Sequence, residues 1–214
     1  MTRLLWPDLV PEDEADGWLP DFPKVTTEQV LRALSARHPM DGWNGPGRWV
    51  FAREVNEATG LWGAGQRFDA VAVGLVPSVQ YARVVYEVKV SRSDWLRELR
   101  PQVEMANRFG VRRLSGKGAV AMLADPGQLP GWQLSEVRKW DAALAVSTEF
   151  WVAAPPRCVQ LDELPPEAGL IEVRPWGSAG ELRARVMRQA PVRETPVPDA
   201  GFWAAVLRRV ATRP

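Results

Sequence analysis

Two neighbouring segments with strand-like alternation constrain this chain most strongly. Residues 67–73 and 84–90 each alternate between two faces, a Pro-containing loop joins them, and a helix start follows directly. Because successive strand side chains point to opposite faces, Glu87 and Lys89 lie on the same face. A hairpin about the centre of the loop pairs positions whose numbers sum to 156, and it therefore sets Asp69 opposite Glu87. Facing Cβ atoms in such a pair are about 5 Å apart.

Two carboxylates this close repel each other unless a positive charge lies beside them. Oxygen ligands of this kind suit Mg²⁺, with Mn²⁺ able to substitute, and the ion keeps water molecules available for chemistry. Lys89 could orient or deprotonate an attacking water, or stabilise charge that develops on a phosphate. The pattern therefore predicts metal-assisted phosphodiester cleavage, with Asp69 and Glu87 as metal ligands and Lys89 as the catalytic lysine.

The same residues resemble a known nuclease motif. Asp69 followed by Glu87-Val88-Lys89 is similar to the motif of the PD-(D/E)XK nuclease superfamily, with Phe68 where a Pro can stand. The longer run from Tyr86 to Leu99 resembles the MmcB-like branch of proposed DNA-repair endonucleases, and the resemblance covers about residues 49–173. It implies a Mg²⁺-dependent deoxyribonuclease that acts on DNA in repair or processing.

The resemblance also implies a fold. The expected fold class is α/β, with a restriction-endonuclease-like αβββαβ core in which helices flank a mixed central sheet. The residue patterns give the same order of elements: a helix, three strands, a helix and a strand.

A third acid is predicted from the strand that precedes the hairpin. Residues 48–55 read as a strand, and pairing about the loop at 60–65 joins positions that sum to 123, which sets Glu54 beside Asp69. The resemblance also suggests Glu54 as a metal-site acid. Glu57 is the competing residue. In addition, an error of one position in register would turn the Glu54 side chain to the other face of the sheet.

Basic residues near the predicted site are candidates for DNA contact. Arg92 and Arg97 belong to the helix that follows the strand. We predict phosphate contact for Arg92, and Arg97 is a second candidate for which a solvated helix face is the favoured explanation. Arg112, Arg113 and Lys117 lie in a Gly-spaced segment that could follow a DNA backbone or form an ordinary surface loop.

Composition narrows the function class and the cellular setting. The net charge of +1 over 214 residues gives no global attraction to nucleic acid, so any DNA site must be local. One cysteine, Cys158, excludes an internal disulfide and a cysteine-rich zinc site, and one histidine, His38, argues against a histidine metal centre.

With no signal-like start and no membrane span, we expect a cytoplasmic protein without membrane contact. A homodimer is compatible with the sequence and would allow both DNA strands to be cut.

The chain divides into three parts by composition and pattern. Residues 1–24 form an acidic, Pro-containing lead-in, and residues 25–177 form the nuclease-like domain with an insertion at about 101–146. Residues 178–214 are expected to be a helical tail that packs on the core.

Local patterns predict further elements. Ser91 or Ser93 caps a helix that runs to about Arg100, and a short helix-like piece covers 103–109. The tail offers two helical stretches, residues 181–189 and 202–213.

Two other function classes remain open. The first is a nuclease-fold protein that binds nucleic acid or regulates a partner without cutting. The second is a plain α/β interaction domain in which Glu87 and Lys89 form only a salt bridge on a solvated face.

Overall fold

The structure is a computed structural model in which one mixed sheet organises the chain. It describes residues 24–39, 41–42, 45–56, 66–100, 102–107, 110–115, 133–176 and 181–212. The helices are α1 Thr27–Ala36, α2 Arg92–Glu98, α3 Asp141–Val146 and α4 Ala200–Ala211. The strands are β1 Asp41–Gly42, β2 Gly45–Pro46, β3 Trp49–Asn56, β4 Arg67–Gly74, β5 Arg83–Val88, β6 Gln102–Asn107, β7 Gly110–Ser115, β8 Gln133–Val137, β9 Glu149–Ala154, β10 Ala168–Trp176 and β11 Glu181–Arg188.

The six-stranded sheet has the order β11-β10-β9-β5-β4-β3. Strands β3, β4 and β5 form an antiparallel meander, and β9 then pairs parallel to β5. Strand β10 is parallel to β9, and β11 is antiparallel to β10. The mixed sheet with flanking helices confirms the α/β class, and α1, β3, β4, β5, α2 and β9 follow the predicted order of elements.

Both predicted hairpin registers are confirmed. Ala70 pairs with Tyr86 in the β4–β5 ladder, so the paired positions sum to 156. In the β3–β4 ladder Arg53 pairs with Ala70, and the sum is 123. The site residues therefore start from the expected positions along each strand.

Two apolar layers cover the faces of the sheet. Helix α1 covers one face, where a capping box between Thr26 and Gln29 starts the helix and Val30 and Leu34 are buried against the strands. Helices α2, α3 and α4 cover the other face, with Trp95 of α2 and Phe202 of α4 among its buried residues. Alternate positions of β5 and β9 contribute to the two layers, as the period of a strand requires.

The inserted segment contains strands where the sequence predicts a helix. Residues 103–109 were expected to be helix-like, but β6 covers most of this range and is the middle strand of a small sheet with the order β7-β6-β8. Val103 and Met105, two positions apart, are both buried, which is the alternation of a strand. The helix prediction at this point was wrong.

The C-terminal part is only half helical. The predicted helix at 181–189 is instead β11, the edge strand of the main sheet, whose Leu182, Ala184 and Val186 alternate toward the apolar layer. Helix α4 forms as predicted, with Asp199 as its N-cap, and its buried residues dock on the core. The tail is therefore one strand and one helix instead of two helices, and residues of both contact the apolar layers.

Other expectations fall partly outside these ranges. Apart from Lys24, the acidic lead-in lies outside the described residues. Within the described part of the chain, no helix is both long and apolar enough to cross a membrane.

Candidate functional site

The candidate site lies where β5, a central strand, ends and the chain enters α2. Glu87 is near the end of β5, and Lys89 follows with its backbone N–H bonded to the carbonyl of Ala153 in β9. The side chains point to the same face, as alternation predicts, and Nζ of Lys89 lies 2.5 Å from Oε1 of Glu87. This face is the one that α2 and α3 cover, and both side chains are buried.

Asp69 joins this group from the neighbouring strand β4. Its Oδ2 accepts a hydrogen bond of 2.8 Å from the backbone N–H of Val88, just beyond the last Cα pair of the β4–β5 ladder. Burial and the nearby charge of Glu87 raise the pKa of Asp69 to about 6. The structure therefore brings Asp69, Glu87 and Lys89 together, and the two carboxylates feel each other's charge.

A second glutamate, Glu98, lies on the other side of Lys89. Its Oε2 lies 2.7 Å from Nζ of Lys89, and the Glu98 side chain is only 7 % exposed. Glu98 is not among the site residues predicted from the sequence. The available signal was its helical spacing, because Glu98 lies three residues after the buried Trp95 and shares its face of α2.

A second lysine, Lys139, completes an alternating square of charges. Nζ of Lys139 lies 3.0 Å from Oε1 of Glu87 and 2.8 Å from Oε2 of Glu98. Each lysine therefore contacts both glutamates. Lys139 comes from the inserted segment just before α3, and no local pattern in the sequence connects it to Glu87, 52 residues away.

The protonation of Lys89 follows from this arrangement. Burial acts to lower its pKa, but the carboxylates of Glu87 and Glu98 more than offset burial, so the pKa of Lys89 is raised. An ammonium held in this way can stabilise negative charge on a phosphate. It is poorly suited to remove a proton from water, which was the other role considered for this residue.

Glu54 has the predicted register but a different side-chain environment. It has a left-handed backbone conformation, with φ of 51°. The β3–β4 ladder has no Cα pair at Glu54, although the residues on both sides of it are paired. Its exposed carboxylate lies 3.6 Å from Arg67 and 3.9 Å from Arg209, and its carbonyl accepts a hydrogen bond from Arg209. Among the described residues, no hydrogen bond or ion pair joins its carboxylate to Asp69, Glu87 or Lys89. Its role in metal binding stays a prediction.

Arg92 is held by an acidic partner. Its guanidinium makes a two-point ion pair with Glu163, and it also donates to the carbonyl of Cys158. Glu163 accepts a further hydrogen bond of 2.9 Å from Nε1 of Trp95, and these hydrogen bonds lower its pKa to about 2. Arg92 therefore ties the start of α2 to the loop after β9 in this structure. A role in phosphate contact would require it to exchange partners, and that role stays a prediction.

The remaining predicted DNA contacts are dispersed. Arg97 lies on the outer face of α2, with two thirds of its side chain exposed and Asp94 at 3.4 Å. Arg112 and Arg113 lie in β7 of the small sheet, opposite Met105 and Glu104 of β6. Two residues singled out in the sequence, Glu57 and Lys117, lie outside the described residues.

An open pocket borders the square of charges. It has a volume of about 380 Å³, lies between the end of α2, the start of α3 and the loop after β9, and reaches Glu98. Basic and apolar side chains share its wall, among them Arg100, Arg138 and Trp140. The pocket wall also carries the acid Glu163, and Glu98 is the member of the square that borders this space.

The side chains at this site include possible ligands for a metal ion. Within the described ranges, no group of three or more His, Cys, Asp or Glu side chains is arranged to hold a metal. The two adjacent carboxylates, Asp69 and Glu87, fit the way in which Mg²⁺ is often bound, by one or two carboxylates with waters and substrate phosphates. They do not resemble a structural zinc site. Asp69 and Glu87 are therefore the residues that would hold such an ion.

Comparison of the chain with protein-family models, with curated proteins and with solved structures finds no match.

Proposed function

We propose that this protein is a metal-dependent DNA nuclease that hydrolyses phosphodiester bonds in DNA repair or DNA processing. The observation that supports this best is the meeting of Asp69, Glu87 and Lys89 at the end of a central strand. Two carboxylates and a buried ammonium at one point provide cation ligands and a positive charge for a phosphate. Together with the resemblance to the PD-(D/E)XK motif, this grouping supports a restriction-endonuclease-like core.

The residues have separate roles in this proposal. Asp69 and Glu87 hold the cation, Mg²⁺ or Mn²⁺, which when bound polarises the phosphate and lowers the pKa of a water molecule. Lys89 stays protonated and stabilises charge on the phosphate in the transition state. The hydrogen bond from Val88 fixes the direction of the Asp69 carboxylate.

The raised pKa of Asp69 is also consistent with a cation site. Burial is the larger cause of this shift, and the charge of Glu87 adds to it. A bound cation would offset both effects, because it stabilises the ionised carboxylates. Strongly shifted carboxylates in partly buried positions are frequent at functional sites. Asp69 is therefore the first residue to test.

The test is cleavage of a labelled panel of plasmid, linear, single-stranded and branched DNA with Mg²⁺, Mn²⁺ or EDTA. Wild type is compared with Asp69→Asn and Lys89→Met, and we expect a loss of about 100-fold or more in each. Glu28→Gln and Lys24→Met are matched controls, because Glu28 pairs with Arg53 at the surface and Lys24 is exposed. Both controls should cut like wild type.

The outcomes separate the function classes. Metal-dependent cutting that is lost in both site variants supports the nuclease. Retention of DNA in a gel shift without cutting points to the nuclease-fold protein that binds without cleaving. In that case the ion pairs of Glu87 with Lys89 and Lys139, which the structure shows, would be permanent. Absence of both activities leaves the plain interaction domain.

A further inference from the structure

We propose that Lys139 is an exchangeable counter-ion of the acidic site. Without a divalent cation it neutralises Glu87 and Glu98, and when a cation binds it turns outward to contact a DNA phosphate. This inference rests on the proposed nuclease function and deepens it, because it names a second lysine for the substrate.

The two lysines of the square differ in how firmly they are held. Lys89 projects from the end of a central strand, and its side chain is 9 % exposed. Lys139 makes the same two contacts, but its side chain is 34 % exposed. Since both ammonium groups contact the same oxygen of Glu87, the more exposed one can leave without removing all compensation from that carboxylate.

Charge balance indicates why Lys139 would leave. Three carboxylates, of Asp69, Glu87 and Glu98, face the two ammonium groups in this region, which leaves one net negative charge when all are ionised. A divalent ion in place of one lysine would balance the charges. An ion beside Glu87 would also repel an ammonium group about 3 Å from that oxygen, and such repulsion is strong where water is scarce.

The backbone around Lys139 is anchored, so only its side chain needs to move. Arg138 is tied to Asp141 by a backbone hydrogen bond of 2.8 Å and a side-chain contact of 2.9 Å. Trp140 is stacked on Trp95, with ring centroids 6.3 Å apart.

The open pocket that reaches Glu98 lies on this side, and its wall includes Arg100 and Arg138. The same wall carries Glu98 and Glu163, and Arg138 is paired with Asp141 and Glu167. A lysine that turns toward this pocket therefore adds a positive charge beside Arg100, where a DNA phosphate would contact both.

The first test measures metal binding without activity. Binding of Mn²⁺ to the full chain is followed by the loss of the electron paramagnetic resonance signal of free Mn²⁺. We expect Lys139→Met to bind Mn²⁺ about tenfold more tightly than wild type, because the competing charge is gone. Lys139→Arg keeps the charge and Lys24→Met removes an exposed lysine elsewhere, so both should resemble wild type.

The second test asks whether Lys139 reaches DNA only when the cation is present. Binding of a short labelled duplex is measured by fluorescence anisotropy over a range of salt concentrations, in Ca²⁺ and in EDTA. In Ca²⁺, Lys139→Met should reduce the salt slope by about 1, the loss of one phosphate contact. In EDTA the variant should have the same salt slope as wild type. A purely structural lysine would not produce a slope change that depends on the cation.

The results distinguish failure of this inference from failure of the proposed function. If Asp69→Asn weakens Mn²⁺ binding but Lys139→Met leaves it unchanged or weaker, the metal site stands and the exchange of Lys139 is overturned. If wild type and Asp69→Asn bind Mn²⁺ equally, the metal site and the exchange both fail. A salt slope that falls equally in Ca²⁺ and EDTA also overturns the exchange. Lys139→Gln repeats both tests if Lys139→Met does not fold.

Discussion

Oδ2 of Asp69 accepts a hydrogen bond of 2.8 Å from the backbone N–H of Val88. Val88 is the residue between Glu87 and Lys89, whose side chains form an ion pair. This hydrogen bond fixes one carboxylate beside another at the edge of a buried cluster. A single backbone donor does not offset the burial and the repulsion, so the pKa of Asp69 is raised to about 6. The arrangement therefore makes the folded chain less stable when Asp69 is ionised.

The replacement Asp69→Asn should stabilise the protein at neutral pH. The folded state keeps a proton on Asp69 up to pH about 6, whereas the unfolded chain releases it near pH 3.8. The native state thus binds more protons in this window, and stability falls as pH rises through it. Asn keeps an acceptor for Val88 but does not ionise. We take the free energy of unfolding of the variant minus that of wild type, and expect this difference to increase by about 2 kcal/mol between pH 4 and pH 7.

Urea denaturation in EDTA at several pH values measures this difference. Glu28→Gln is the control, because it removes an exposed carboxylate whose ion pair with Arg53 lies at the surface, away from the site. Parallel stability profiles for Asp69→Asn and wild type would show that Asp69 ionises normally in the folded state.

The square of charges should show strong coupling between its members. Glu98→Gln removes one carboxylate from Lys89, and Lys89→Met leaves Glu98 with only Lys139. Each single change leaves a buried charge with less compensation, and we expect it to lower the free energy of unfolding by about 3 kcal/mol. The double variant should lose about 1–3 kcal/mol less than the sum of the single changes.

A double-mutant cycle from urea denaturation at pH 7 gives the coupling energy. The surface pair Glu28 and Arg53, at 2.7 Å, is the matched comparison and should show a coupling below about 1 kcal/mol. Additive losses for Glu98→Gln and Lys89→Met would mean that these two groups do not compensate each other in solution.

The opposite face of the sheet contains a second titrating group. His38 is fully buried below α1, and its Nε2 lies 2.6 Å from the hydroxyl of Tyr86. Burial and the charge of Arg37 lower the pKa of His38 to about 3. The unfolded chain takes up this proton below pH 6.5 and the folded chain does not, so the contribution of His38 is lost as pH falls.

This effect can be measured once Asp69 no longer titrates. In the Asp69→Asn variant, the free energy of unfolding should be about 2 kcal/mol lower at pH 5 than at pH 7.5 because of His38. Adding His38→Gln, which retains a hydrogen-bonding side chain for Tyr86, should remove that drop although it lowers stability overall. A drop of the same size in the double variant would assign it to another group.

The grouping of Asp69, Glu87 and Lys89 could be predicted because it depends on local rules. Strand alternation sets the faces, short loops set the two registers, and both registers appear in the structure. Glu98 and Lys139 could not be found in this way, since they reach the site by the packing of α2 and of the inserted segment. Glu54 shows the limit of register alone, because a left-handed backbone at a non-glycine residue redirects its side chain.

The C-terminal strand shows a different limit. Residues 181–188 are rich in good helix formers such as Leu, Arg, Ala and Met, which favoured a helix. Strand β10 offers an edge with unpaired backbone groups, and pairing with it overrides that propensity. The alternation of Leu182, Ala184 and Val186 is the signal in the sequence that indicates a strand.

The pairing of β9 with β10 depends on a glycine, and a substitution there should test the sheet topology. Gly169 lies opposite Trp151, and a Cβ at this position would come within 2.4 Å of the Trp151 ring and 2.6 Å of the backbone nitrogen of Ala190. Neither neighbour can move easily, so Gly169→Ala should lower the free energy of unfolding by about 3 kcal/mol.

Gly201→Ala in α4 is the matched control. Its Cβ would meet only the Asp199 side chain, at 3.2 Å, and helix propensity favours Ala, so its stability should stay within about 1 kcal/mol of wild type. Equal stability of the two alanine variants in urea would contradict the close approach of β10 to Trp151.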